Sequence, residues 1–164
     1  MAQTAKSFHD FTVTTIDGKS FPLSNLKGKK VLVVNTASKC GLTKQYKDLE
    51  FLYQNYGGDN FEIIGFPANN FMNQEPGTNK EIHEFCKKNY GISFLIMAKI
   101  SVKGNNTHPL YQWLTQKSLN GKMDSKIKWN FQKYLIDENG QLIDMVEPRE
   151  SPSCVKIIKW ISQE

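Results

Sequence analysis

Apolar residues along this chain recur with two different periods, and the switches between them mark out the elements. Phe11-Thr-Val-Thr-Thr-Ile16 alternates, breaks at Asp17-Gly18 and resumes at Ser20-Phe-Pro-Leu23. Asp-Gly between alternating runs adopts the left-handed backbone of a tight turn, so a small β-hairpin is expected here. Val31-Leu-Val-Val34 is continuous and β-branched, the pattern of a strand buried on both faces. Beyond Cys40 the period lengthens. Leu49, Leu52, Tyr53 and Tyr56 fall at i, i+3, i+4 and i+7, which predicts an amphipathic helix stopped by Gly57-Gly58. Phe61-Glu-Ile-Ile-Gly-Phe66 reads as a second buried strand ending at Pro67. Strand, helix and strand in succession make a βαβ unit, which implies parallel neighbours and a right-handed crossover.

A loop, Pro67 to Gly77, follows that strand, and Thr78-Asn-Lys-Glu81 then matches a capping box. The helix it opens carries Ile82, Phe85 and Cys86 on one face and closes at Gly91. Phe94-Leu-Ile-Met97 and Ile100 read as extended. His108-Pro109 precedes Leu110, Trp113 and Leu114, a third helix expected to run to about Asn120-Gly121. Tyr134-Leu-Ile136, Asp137-Glu-Asn-Gly140 and Gln141 to Val146 form a second hairpin. Ser151 as N-cap and Pro152 at the first helical position predict a last helix, striped by Val155, Ile158 and Ile161, with Cys154 in its first turn. A parallel unit continued by an antiparallel hairpin predicts an α/β protein with a mixed central sheet flanked by helices.

Composition narrows the function classes. With 164 residues, one domain spanning the chain is expected, large enough for a core without disulfide staples. The N-terminal residues form no apolar signal segment and no run approaches membrane-spanning length, so a cytoplasmic protein without stable membrane insertion is expected. Three cysteines do not make a disulfide framework; in a reducing compartment they are catalytic, redox-active or structural. The net charge of +5 comes almost wholly from dispersed lysines, and Arg149 is the only arginine. That argues against nucleic acid as a partner, because base and phosphate recognition leans on arginine. His9, His83, His108 and the cysteines lack ligand spacing, so neither a metal nor another cofactor is expected.

Cys40 stands where a buried strand turns towards a helix. The free N–H groups of a new helix favour a thiolate over a thiol, and Lys39 and Lys44 push the same way. A small buried apolar residue would fit the position equally well. Its own surroundings in the sequence leave both readings open.

Three stretches change the balance: Asn35-Thr-Ala-Ser-Lys-Cys40-Gly-Leu-Thr43, Gly65-Phe-Pro-Ala-Asn69-Asn-Phe71 with Gln74-Glu-Pro-Gly77, and Lys128-Trp129-Asn130-Phe131. In order and spacing they resemble the signatures of the glutathione peroxidase family, with similarity from about Phe8 to about Met145. The resemblance implies a thioredoxin-like fold, which the element order with its cysteine after the first core strand also resembles. It places Cys40 at the position that is selenocysteine in some members and makes Gln74, Trp129 and Asn130 its partners in a catalytic tetrad. The residue types suit that chemistry. A thiolate attacks one peroxide oxygen while N–H donors that do not titrate near neutrality meet the charge on the other.

Glu84-Phe-Cys86-Lys-Lys-Asn-Tyr90-Gly91 resembles members recycled by thioredoxin, in which this cysteine condenses with the oxidised one to a redox-active disulfide. Cys86 on its own pattern is also a plain core residue. If it is buried, its helix must unwind, because a disulfide needs Cα atoms about 4.4–6.8 Å apart. Ala68 stands where many members have cysteine, Lys44 and Leu95 replace common prolines, and Cys154 matches no family position. The short Lys117–Lys128 connection, where tetrameric members carry an insertion, implies a monomer. The expected function is a thiol peroxidase of oxidative-stress defence, acting on hydrogen peroxide and organic or lipid hydroperoxides. Thioredoxin or a similar dithiol protein would reduce it. Glutathione recycling with a structural Cys86, a peroxide sensor relaying oxidation to a client protein, and a non-catalytic module are the rivals.

Overall fold

In a computed structural model that describes residues 6–163, the chain forms seven strands and five helices besides short 3-10 turns. They run β1 (Thr12–Thr14), β2 (Ser20–Pro22), β3 (Lys30–Thr36), α1 (Gln45–Tyr56), β4 (Phe61–Pro67), α2 (Asn79–Tyr90), β5 (Leu95–Ile96), α3 (Pro109–Thr115), α4 (Lys117–Asn120), β6 (Lys133–Ile136), β7 (Leu142–Val146) and α5 (Val155–Ser162). The central sheet has the order β5-β4-β3-β6-β7. β3 pairs in parallel with β4, and β4 with β5, whereas β6 joins β3 and β7 antiparallel. The predicted mixed sheet is therefore present. β1 and β2 make the expected separate hairpin, Thr12 opposite Pro22, with Gly18 at φ +91° in its turn.

Alternation along β3 divides the core into two layers, because successive side chains point to opposite faces. Val31 and Val33 pack with Ile64, Phe66, Tyr134 and the α3 residues Leu110, Tyr111, Trp113 and Leu114. Leu32 and Val34 pack on the other face with Tyr46, Leu49 and Leu52 of α1, Ile82 and Cys86 of α2, and Ile157 of α5. Both faces of the sheet are thus covered, as the continuous apolar runs of β3 and β4 require.

Two helices differ from the expectation. The third is broken: Gln116 turns extended (φ −120°, ψ 116°), separating α3 from the single turn of α4. The buried Asn120 explains the break, since its Nδ2 donates to the carbonyls of Trp113, Leu114 and Met123, replacing the helix's own bonds at the end of α3. The last helix starts at Val155 with Cys154 as its N-cap, so Ser151 is not the cap and Cys154 does not lie in the first turn. Ser151 Oγ instead accepts from the Ser153 N–H in a tight turn. Just upstream, the buried Lys133 ammonium gathers the carbonyls of Glu147, Pro148 and Glu150 and bends the chain there. Among the described residues, no helix is long and apolar enough to cross a membrane.

Candidate active site

Three segments meet at the carboxyl ends of β3 and β4, the edge of a parallel pair where ligands characteristically bind. The first leaves β3 through Ala37-Ser38-Lys39-Cys40. Cys40 lies one tight turn upstream of α1, whose N-cap is Lys44. The buried Thr43 holds this turn: its hydroxyl donates to the Ala37 carbonyl at 2.8 Å and accepts from the Cys40 N–H at 2.9 Å. The Leu42 N–H donates to Cys40 Sγ at 3.3 Å, and the half-buried cysteine keeps access to solvent. The sulfur thus meets a backbone donor of the turn, not those of the helix proper.

The second segment follows β4. Met72 and Asn73 take left-handed backbone, at φ 54° and 53°, and swing Gln74 back towards the first segment. There the Gln74 carbonyl accepts from the Lys39 N–H at 3.0 Å. The third precedes β6. Asn35, fully buried in β3, clasps it: its side chain donates to the Trp129 carbonyl at 3.1 Å, and its carbonyl accepts from the Phe131 N–H at 2.6 Å. Phe131 is left-handed at φ 67°, which reverses the chain and leaves Trp129 half-buried against Phe71, ring centroids 5.4 Å apart.

A side-chain bond closes the set. Asn130, fully buried, donates from Nδ2 to Gln74 Oε1 at 2.9 Å. With its oxygen engaged, Gln74 is left presenting an N–H donor. Cys40, Gln74, Trp129 and Asn130, up to 90 positions apart in sequence (130 − 40), therefore sit on three mutually hydrogen-bonded segments. What such an arrangement can do is gather a solvent-reachable sulfur and neutral N–H donors at one end of the sheet without offering a metal ligand set. Among the described residues, no three His, Cys, Asp or Glu side chains gather to hold a metal ion.

Cys86 is placed differently. It is 1% exposed on the apolar face of α2, and burial pushes its thiol up to about 11. All three cysteines are free thiols, and Cys154 stands apart from the three segments at the α5 N-cap. Sequence reasoning did not single out Asn35, Thr43, Tyr46 or Glu75. Asn35, Thr43 and Glu75 lie inside the quoted stretches, and a threonine three residues after Cys40 has the spacing of a hydroxyl that caps a turn.

A model of the glutathione peroxidase family matches residues 8–115, about two thirds of the chain. The chain belongs to the glutathione peroxidase family. It is a thiol peroxidase, an enzyme that reduces hydroperoxides. A glutathione peroxidase-like peroxiredoxin of Schizosaccharomyces pombe is 53% identical over 146 residues, covering 88% of this chain and 91% of its own length. The apo crystal structure of Trgpx superposes with a TM-score of 0.75 at 40% identity and covers 98% of both chains. A thioredoxin-family thiol:disulfide interchange protein from Chlorobium tepidum TLS superposes at TM-score 0.66 over 98% of this chain and 99% of its own. At 20% identity it speaks for the fold alone, and the fold is that of thioredoxin. In this peroxidase the Cys40, Gln74 and Trp129-Asn130 segments occupy one end of that fold.

Proposed function

We propose that this peroxidase works through Cys40 as the attacking thiolate and is recycled through Cys86 by thioredoxin or a similar dithiol protein. The observation that carries the reading is the Asn130 to Gln74 bond at 2.9 Å, on a loop already tied to the Cys40 turn. By engaging the Gln74 oxygen it leaves a neutral N–H donor free, the kind of group that stabilises a developing oxyanion. Cys40 sulfur bonds to one peroxide oxygen and the O–O bond breaks. The distal oxygen leaves as hydroxide or alkoxide, met by the Gln74 and Trp129 N–H groups, and takes up a proton to become water or alcohol. Asn130 acts by fixing the Gln74 amide. Neither donor titrates near neutrality, so the charge stabilisation persists across the physiological pH range.

Cys40 is then a sulfenic acid. Cys86 condenses with it, releasing water and leaving a Cys40–Cys86 disulfide, which an external dithiol reduces. Because Cys86 is buried in α2, that helix opens in each cycle. The peroxiredoxin name of the S. pombe relative supports this cycle. The burial of Cys86 equally favours a second reading, glutathione recycling with Cys86 as a packing residue. The substrates are hydrogen peroxide and organic or lipid hydroperoxides, and the working unit is a monomer of one domain in the cytoplasm.

The test is peroxide consumption driven by thioredoxin and its reductase, or by glutathione and its reductase, with wild type and Cys86→Ser. The two-cysteine cycle requires the thioredoxin-driven rate to collapse in the variant. An unchanged rate would remove Cys86 from the mechanism.

A further inference from the structure

Between the Cys40 turn and Cys86 lies a set of polar groups that the peroxide-reducing site does not use. Glu75, next to Gln74, is 1% exposed, and its Oε2 has no hydrogen-bond partner among the described residues. The same holds for the buried hydroxyls of Ser38, Thr36 and Tyr46. These groups are neighbours. The Ser38 hydroxyl and amide face the Glu75 carboxylate, and Ser38 is two residues before Cys40. The Tyr46 hydroxyl faces Thr36 on one side and the Cys86 thiol on the other, and the Glu75 charge acts on both Tyr46 and Cys86. Ser38, Lys39 and Glu75 also line one side of a cleft of about 430 Å3, whose other side is Glu81, Ile82 and Phe85 of α2.

An unpartnered buried carboxylate is costly and is kept only where something compensates. Here the resolving step supplies a use. In the closed fold burial keeps the Cys86 thiol protonated, raised to about 11, so the resolving step starts from the thiol and not from the thiolate. That proton has to be taken up as the S–S bond forms, and the buried, unpartnered Glu75 Oε2 is an acceptor within the same set of neighbouring groups. We propose that Glu75 is that base, a reading that rests on Cys86 being the resolving cysteine.

As α2 opens, the Cys86 thiol proton passes to Glu75 and the thiolate sulfur attacks Cys40 Sγ. The S–O bond breaks, and the proton moves from Glu75 to the departing hydroxide. One disulfide and one water result, and Glu75 is a carboxylate again. Thiol and sulfenic acid supply all atoms and electrons, so no further reactant enters.

The surroundings make Glu75 a stronger base than an ordinary carboxylate. Burial raises the Glu75 carboxyl above the ordinary range, against the opposing influence of the nearby Ser38 hydroxyl and amide and the charges of Lys99 and Lys39. Other titratable groups in and around the cleft are poor candidates. Lys99 Nζ is held by the carbonyls of Glu75 and Gly77. The Glu81 carboxylate is exposed and accepts from the Thr78 N–H as part of the α2 capping box. Burial raises Tyr46 well above its usual value. His83 of α2 lies near Asp17 of the N-terminal hairpin.

The test uses the full-length reduced protein and one equivalent of hydrogen peroxide in a rapid-mixing instrument. Cys40 oxidation is followed by tryptophan fluorescence, and disulfide closure by acid quench and alkylation. In Glu75→Gln, which keeps the shape and cannot titrate, closure relative to oxidation should slow tenfold or more at pH 7. Closure in that variant should then climb with pH towards the thiol's own ionisation, whereas wild-type closure should level off at a lower pH than the variant's. Glu75→Asp should restore part of the rate. Closure in Glu75→Gln at the wild-type rate and pH profile overturns the assignment, as does an equal slowing of both steps. Cys86→Ser separates the two readings: if it retains thioredoxin-driven turnover, the resolving role fails first and Glu75 falls with it.

Discussion

The Asn130–Gln74 bond gives the sharpest test of how the site is assembled. Asn130→Ala removes a fully buried amide whose Nδ2 lies 2.9 Å from Gln74 Oε1. The oxygen of the half-buried Gln74 then has no protein donor, which costs about 1–3 kcal/mol where water does not replace it. The same loss frees the amide to turn its oxygen towards the reacting peroxide. At about 1.4 kcal/mol per factor of ten, the second-order rate of Cys40 oxidation should fall about 10- to 100-fold. Gln74→Ala deletes the donor itself and should cost about 10²- to 10³-fold. If Asn130 acts only through Gln74, adding Asn130→Ala to Gln74→Ala should cost no more than about threefold further, because the coupling is then nearly complete. Stopped-flow fluorescence under excess peroxide measures all three variants, with urea denaturation to register the stability loss separately. Multiplicative effects in the double variant would refute the reasoning and place Asn130 on the peroxide itself. A single Asn130→Ala within twofold of wild type would show that Gln74 needs no orienting bond.

Three further outcomes follow from the geometry. Thr43→Val should lower stability by about 1–3 kcal/mol in urea titration, because the Cys40 N–H and Ala37 carbonyl lose their shared partner, and Thr43→Ser should recover most of it. The Cys86 thiol binds its proton up to about 11 when folded, against an ordinary value of 9.0, so the folded state holds the extra proton in that window. Its contribution is present below pH 9 and lost as pH rises from 9 to 11, by about 2–3 kcal/mol. The stability difference between wild type and Cys86→Ala should therefore shrink across that window. Lys133, lowered to about 8 chiefly by burial, moves the other way in both proteins and cancels in the difference. Gly140→Ala should destabilise by more than about 1 kcal/mol in thermal melts, since φ is +80° and a Cβ would stand 2.7 Å from His9 Nδ1. His9→Ala in the same chain should relieve the steric part and leave the backbone strain.

By itself the sequence determined the elements and the chemical inventory. β-branched runs at Val31 and Phe61, the capping box at Thr78 and the Asp-Gly turn are local signals, and each formed where its pattern lay. The order of elements and three short motifs were enough to mark Cys40, Gln74, Trp129 and Asn130 as a set. Tertiary structure decided everything that depends on partners distant in sequence. Asn120 ended α3 by capturing its carbonyls, and the Lys133 clamp bent the chain before Cys154, so both helix limits departed from the local signals. Asn130 turned out to hold Gln74, and Asn35 to hold the Trp129 turn. The choice for Cys86 between packing and reactivity was likewise a tertiary matter. Only folding places it beside Tyr46 and under the charge of a buried carboxylate that the linear motif shows merely as the residue after Gln74. Periodicity reports which face a residue shares with its own element, whereas desolvation and hydrogen bonding depend on what other elements bring against that face.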